Sequence, residues 1–116
     1  MPWIVTPGYL RCVGEFYHQA HSLTAAGVSM LQALEQLRRA PPAGWLRAPL
    51  RQVITQIEQG NTFSESIANL GKTFPPFDIA LLRAGEMSGR LEGCFRLLGR
   101  RFGRRVAPFF RWLQAR

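Results

Sequence analysis

Glycine and proline punctuate this chain at intervals that leave only helix-length segments between them. The breaks fall at Gly27, at Pro41 with Pro42, at Gly60, at Gly71, within "FPPF" at 74–77, and at Gly89. Glycine accepts the left-handed conformation that ends a helix, and proline cannot continue one. Inside each segment the apolar residues recur at three- and four-residue steps, the signature of helices with one buried face.

Leu10, Val13, Phe16, Tyr17, Ala20 and Leu23 or Thr24 predict a first helix, stopped by Gly27. Ser29 sits three residues before Gln32, the spacing of a capping box, and opens a second helix with Leu31, Leu34 and Leu37 inward. A third is expected over about 44–59, with Leu46, Leu50, Val53, Ile54 and Ile57 inward, Pro49 in or near its first turn and Gly60 at its C-cap. Thr62 followed by Glu65 repeats the capping-box spacing and starts a short fourth helix over 63–70, ended by Gly71. "FPPF" is a rigid turn into a fifth helix through Ile79, Leu82 and Ala84, which the glycines of "RAGEMSGRL" are expected to break. A sixth carries Leu91, Phe95, Leu98, Phe102 and Val106 on one face. Valine and isoleucine are scarce beside leucine and alanine, which favours helix over sheet. The expectation is an all-α, antiparallel six-helix bundle over 9–107, after a leader 1–8 closed by Pro7 and Gly8 and before a basic, aromatic tail 108–116.

The formal net charge is +8, and its distribution matters more than its size. The last acid is Glu92; after it come Arg96, Arg100, Arg101, Arg104, Arg105, Arg111 and Arg116. Such a run suits three roles. It offers arginines to phosphates with Phe102 and Trp112 near for base stacking. It also obeys the positive-inside rule, with Arg100, Arg101, Arg104 and Arg105 against an anionic lipid surface and Phe109, Phe110 and Trp112 at the interface. The third role is a solvated basic face. "VAPFFRWL" is far short of the roughly 20 apolar residues that cross a bilayer, and "MPWIVTPGYL" lacks the basic start and apolar run of a secretory signal.

In "RAGEMSGRL", Gly85 permits close helix approach or a bend, and Ser88 with Gly89 makes the corner into the sixth helix. Ser88 is placed to cap that helix by accepting backbone N–H bonds, with Glu92 near its first turn favouring the dipole. Glu86 is then either a structural acid paired with Arg83 or Arg90, or part of a corner at which Arg83, Glu86 and Arg90 meet a partner. A single acid is too little for a calcium ion unless others join it through folding or from a second subunit.

His18 and His21 lie one turn apart, but only Glu15 accompanies them, so solvated or cap-bonded imidazoles are expected and no metal. Ser22, Ser29, Ser64, Ser66 and Ser88 lack a G-x-S-x-G elbow, and "GRRFGRR" is not a phosphate loop, so neither an enzyme nor a bound cofactor is expected. Cys12 and Cys94 are far apart with no CxxC spacing, and read as reduced core thiols of a cytosolic protein. Trp45 and Phe77 fall outside one small core and would support self-association.

The order of these blocks resembles a known pattern. "FYHQAHSLTAAGVSMLQALEQL", then "IEQGNTFSESIANLGKTFPPF", then "ALLRAGEMSGRLEGCF" is similar to the inner-membrane platform domain of type II secretion systems and type IV pilus machines, the GspF/PilC family. The matching positions are Phe16, Gln19, Leu23, Ala26 to Val28, Gly60 through Ala68, Phe74 with Pro75, and Gly85 through Leu91, whose G-E-x-S-G-x-L element is the most distinctive. The resemblance implies a non-enzymatic cytoplasmic helical bundle, usually present twice in a longer membrane protein, at the cytoplasmic face of the bacterial inner membrane. It implies coupling between a secretion or pilus assembly ATPase and pilin-like subunits. Other platform components, a second copy of the domain and the inner membrane itself, reached through segments outside this chain, are the further partners it implies. The chain departs from the pattern at His18 and His21 and in the proline- and arginine-rich "RRAPPAGWLRAP". A binding role with nucleic acid, driven by charge, is the alternative.

Overall fold

A computed structural model describes the backbone of residues 6–114 and the side chains of residues 6–102. Six α-helices follow one another, with no strand among the described residues: α1 (Pro7–Ala25), α2 (Met30–Arg39), α3 (Arg47–Glu58), α4 (Phe63–Ala68), α5 (Pro76–Ser88) and α6 (Leu91–Gln114). A single 3-10 turn, Gly44–Leu46, leads into α3. The all-helical bundle expected from the periodicity is therefore the observed architecture.

The helices begin where the sequence supplies acceptors. Thr6 Oγ1 accepts from Tyr9 N at 3.1 Å and Pro7 takes the first helical position, where a missing N–H costs nothing. Pro7 and Gly8, read as the close of a leader, are thus the first turn of α1. Ser29 Oγ accepts from Gln32 N, and at α4 the full capping box of Thr62 and Glu65 forms in both directions. Three helices end in one way. The N–H five residues on closes to the carbonyl of Leu23, Gln56 and Gly85 in turn, with Gly27, Gly60 and Gly89 at positive φ inside each turn.

Helices α1 and α6 form the most extensive pairing, and α2 with α3 and α4 with α5 pair as sequence neighbours. The core is aromatic at its centre: Tyr17 lies among Phe16, Phe74, Phe95 and Phe102 with ring centroids 5.4–6.2 Å apart. Leu10, Val13, Leu34, Leu37, Leu46, Leu50, Val53 and Ile67 close around it. Trp45, 40% exposed, is stacked on Tyr9, whose hydroxyl donates to Thr73 O at 2.8 Å. These two contacts tie the loop before α3 and the loop before α5 to the first turns of α1. Cys12 and Cys94 are both free and buried. Helix α6 passes unbroken across 107–108, where the tail was expected to begin.

Candidate functional site

The corner between α5 and α6 is built differently from the break expected there. Helix α5 does not stop at Ala84 but continues through Gly85, Glu86, Met87 and Ser88, with Gly89 (φ 73°) as its left-handed terminus. Gly85 is therefore a helix-interior residue, and its function is close approach: a Cβ there would strike Cys94 Sγ, with Arg90 O and Leu91 Cα both at 3.3 Å. Cys94 Sγ in turn donates to Leu81 O at 3.4 Å, so α6 is seated directly on the bare face of α5. Ser88 does not open α6, because its hydroxyl donates backward to Ala84 O (3.0 Å) and Gly85 O (3.3 Å). Arg90 holds the capping position instead, its carbonyl accepting from Cys94 N at 3.2 Å.

Glu86 takes neither arginine as its partner among the described residues. Both of its carboxylate oxygens lie 3.2 Å from Ser64 N, the second residue of α4. A carboxylate at the N-terminus of a helix satisfies an orphan donor and meets the positive end of the dipole. Glu86 thus serves as a cap supplied from a different helix, on the side of α4 not served by Thr62 and Glu65. A groove of about 430 Å³ runs along this junction, lined by Thr62, Ser64, Glu65, Arg83, Glu86 and Met87. Arg83 and Arg90 are exposed and Met87 is 84% exposed. The structure gathers Arg83 and Glu86 in that groove and leaves Arg90 outside it.

A second cluster has no motif to announce it. Asp78, in the first turn of α5, is fully buried; its Oδ2 accepts from Tyr17 O–H at 2.9 Å and its Oδ1 lies 3.8 Å from Arg101 Nη1. The Arg101 guanidinium also lies 4.2 Å above the ring of Phe77, itself 51% exposed, in cation–π geometry. Burial first, and then the neighbouring Asp78 charge, hold the Tyr17 hydroxyl well above its ordinary pKa, so it remains a donor. Arg101, grouped by sequence with the membrane-facing arginines, contacts Asp78 and Phe77 from the surface of the bundle, its side chain 43% exposed. The signals for this cluster were an acid three residues after the Pro75 cap and a tyrosine in an apolar stripe, whose hydroxyl needs a buried partner.

Arg100 lies elsewhere, in a cleft of about 330 Å³ between α1 and α6 that it shares with His18, His21, Phe95, Arg96 and Gly99. His21 Nδ1 is 3.3 Å from Glu92 O; a carbonyl only accepts, so that nitrogen donates. Among the described residues no group of three or more His, Cys, Asp or Glu is placed to hold a metal ion. The side chains of Arg104, Arg105, Phe109, Phe110 and Trp112 lie outside the described residues, as do residues 1–5 of the expected leader and Ala115 and Arg116 of the expected tail.

Comparison with known proteins decides the family. The pattern for "Type II secretion system (T2SS), protein F" matches residues 16–108, which take in the aromatic centre, the α4–α5–α6 corner and the α1–α6 cleft. The chain belongs to the type II secretion system protein F family, the GspF/PilC family. Its relatives include the protein transport protein HofC homolog of Escherichia coli (strain K12), 32% identical over 80 residues, 69% of this chain and 20% of that protein. The type IV pilus assembly protein PilC of Thermus thermophilus is 38% identical over 86 residues, 74% of this chain and 21% of that protein. The type IV pilus assembly protein TapC of Aeromonas hydrophila is 30% identical over 74 residues, 64% of this chain and 18% of that protein. The chain thus spans about a fifth of the length of these relatives. Within the protein F family pattern, the G-E-x-S-G-x-L element from Gly85 to Leu91 has a physical reading in this fold. Its first glycine seats α6, its acid caps α4, and its second glycine turns the chain from α5 into α6. Among the described residues no helix is long and apolar enough to cross a membrane.

Proposed function

We propose that this chain is a cytoplasmic platform domain of a type II secretion or type IV pilus machine, acting at the inner membrane. It is a scaffold without catalytic chemistry that couples an assembly ATPase to the assembly of pilin-like subunits. The observation that carries the reading is the α4–α5–α6 corner within the family match. Three helices are locked there by one glycine and one carboxylate, and the locked junction displays Arg83, Met87 and Arg90 to solvent. A closely packed corner of this kind suits a part that passes on a push from a nucleotide-driven partner. Arg83, Glu86 and Arg90 form the partner face. Arg100, Arg101, Arg104 and Arg105 lie toward the membrane, which the protein reaches through segments outside this chain. A second copy of the domain and the other platform components complete the contacts.

The test is direct binding between the chain and the assembly ATPase encoded in the same genome. Charge reversal of both exposed arginines, Arg83→Glu with Arg90→Glu, is expected to weaken binding at least about tenfold, as loss of charge-assisted contacts does. Unchanged affinity removes the corner from the interface. Retention of duplex DNA at physiological salt with no ATPase binding would replace the scaffold reading with the nucleic-acid alternative that the +8 charge supports.

A further inference from the structure

The cleft between α1 and α6 has the composition of an anion site, and of its lining residues only Arg100 enters the reading above. Arg96 and Arg100 are one turn apart on α6 and form one rim, while His18 and His21, one turn apart on α1, form the other. Like charges at this helical spacing repel; Glu92, one turn before Arg96 on α6, is the neighbouring acid, and among the described residues no ion pair joins a carboxylate to Arg96 or Arg100. The floor is Gly99 and the buried Phe95. The backbone of His18 lies 3.6 Å from where a Cβ on Gly99 would stand, so the two helices are in van der Waals contact at the floor. The outcome is a concave pocket with four nitrogen-bearing side chains around its mouth and an apolar base.

Two guanidiniums offer planar pairs of N–H donors, which match the oxygens of a tetrahedral oxyanion better than any other side chain does. On the opposite rim His18 adds an imidazole without a permanent charge, while the Nδ1–H of His21 is already given to Glu92 O. A volume of about 330 Å³ admits a phosphate group and part of whatever carries it. We infer that the α1–α6 cleft binds a phosphate-class oxyanion, gripped by Arg96 and Arg100 and faced by His18 and His21. The anion is either a free phosphate or phosphoester in solution or the headgroup phosphate of an anionic lipid. Both would present the same oxygens to the same rim. The inference does not depend on the platform reading.

The test is a titration of the full chain with inorganic phosphate at constant ionic strength, followed by amide and side-chain NMR shifts. The expected result is saturable movement confined to His18, His21, Arg96, Gly99 and Arg100, which sodium chloride at equal ionic strength does not reproduce. The double variant Arg96→Gln with Arg100→Gln is expected to weaken saturation at least about tenfold. Glutamine keeps helix propensity, so the fold is retained and circular dichroism checks it. A charge-matched variant on α3, Arg47→Gln with Arg51→Gln, should bind as the parent does. Shifts spread over all basic residues, no saturation, or equal weakening in the α3 variant would each overturn the site. Vesicles of phosphatidylglycerol in phosphatidylcholine then separate the sources. Vesicle binding that is lost in the cleft variant and competed by inorganic phosphate assigns a lipid headgroup, whereas vesicle binding unchanged beside a saturable phosphate response assigns a soluble phosphate.

Discussion

Tyr17 holds two parts of the molecule at once: its ring fills the aromatic centre and its hydroxyl is the donor to the buried Asp78 carboxylate. Removing that hydroxyl leaves Asp78 Oδ2 without the bond at 2.9 Å, and such a loss at a buried charged acceptor costs about 1–3 kcal/mol. Tyr17→Phe is therefore expected to lower the unfolding free energy obtained from urea titration by that amount at neutral pH. A second consequence concerns alkali. Burial pushes the Cys12 thiol up to about 11, and burial together with Asp78 raises Tyr17 well above its ordinary value. Both groups are acids whose charged form the fold disfavours, so the unfolded chain releases their protons at lower pH than the native one does. Stability is full below the unfolded values and falls as pH rises toward and through the native ones, over a window that opens near pH 9. Urea midpoints measured from pH 8 to 11 should decline in the parent and decline less steeply in Tyr17→Phe; a flat parent profile would refute the account. These residues also show where sequence reading runs out. Glu86 stood out in the sequence, yet its partner is the Ser64 backbone N–H, 22 residues away, and a backbone donor leaves no residue type to search for. Asp78 did not stand out, because an isolated acid in a predicted first turn reads as ordinary dipole complementation.

At the scale of the helix, one of the two sequence readings of Gly85, close helix approach, is what the fold uses, and the other, a bend or break, is not. A glycine inside helical periodicity reads as a break, since it costs about 1 kcal/mol relative to alanine. Here the helix carries that cost because α6 needs the vacated space for Cys94 Sγ. The two effects oppose each other in Gly85→Ala, and their magnitudes decide the sign. Alanine would gain up to about 1 kcal/mol in propensity, while forcing a methyl against Sγ and two backbone atoms costs about 1–3 kcal/mol. We expect net destabilisation, the reverse of the usual effect of glycine replacement in a helix. Adding Cys94→Ala should recover part of the loss but not all, since Arg90 O and Leu91 Cα remain at 3.3 Å. A double-mutant cycle by chemical denaturation measures the coupling, and strict additivity would show that the close approach is not what the glycine provides. The other helix ends were readable because their signals are local. Thr62 with Glu65, Ser29 with Gln32, and the glycines after α1 and α3 all act within a few residues of where they stand.

For the molecule as a whole, helix class was readable but partner choice was not. Helix α1 packs most extensively on α6, the last helix in the sequence, and nothing in the 3.6-residue period of either names the other. That pairing also places the arginine-rich α6 against the body of a protein whose formal net charge is already +8. Among the described residues Arg38 pairs with Glu35 and Arg101 with Asp78, and over the whole sequence Lys and Arg outnumber Asp and Glu by 15 to 7. The remaining basic groups therefore act mainly by mutual repulsion, which favours the expanded chain over the compact one. Salt screens charges beyond about 10 Å at 0.1 M, the range over which such repulsion operates, while the short Arg101–Asp78 contact at a buried carboxylate is screened much less. The melting temperature should consequently rise as sodium chloride is increased from a few millimolar toward about 0.15 M and then level off. A fall over the same interval would mean that attractive surface pairs outweigh the net charge. In Arg101→Gln the protein should be less stable at every salt concentration, because the Asp78 carboxylate loses the Arg101 contact, yet the rise with salt should become shallower, because one repelling cation is gone. Thermal melts of both proteins across one salt series separate the two contributions: the Asp78 contact appears as an offset between the curves and the net charge as their slope.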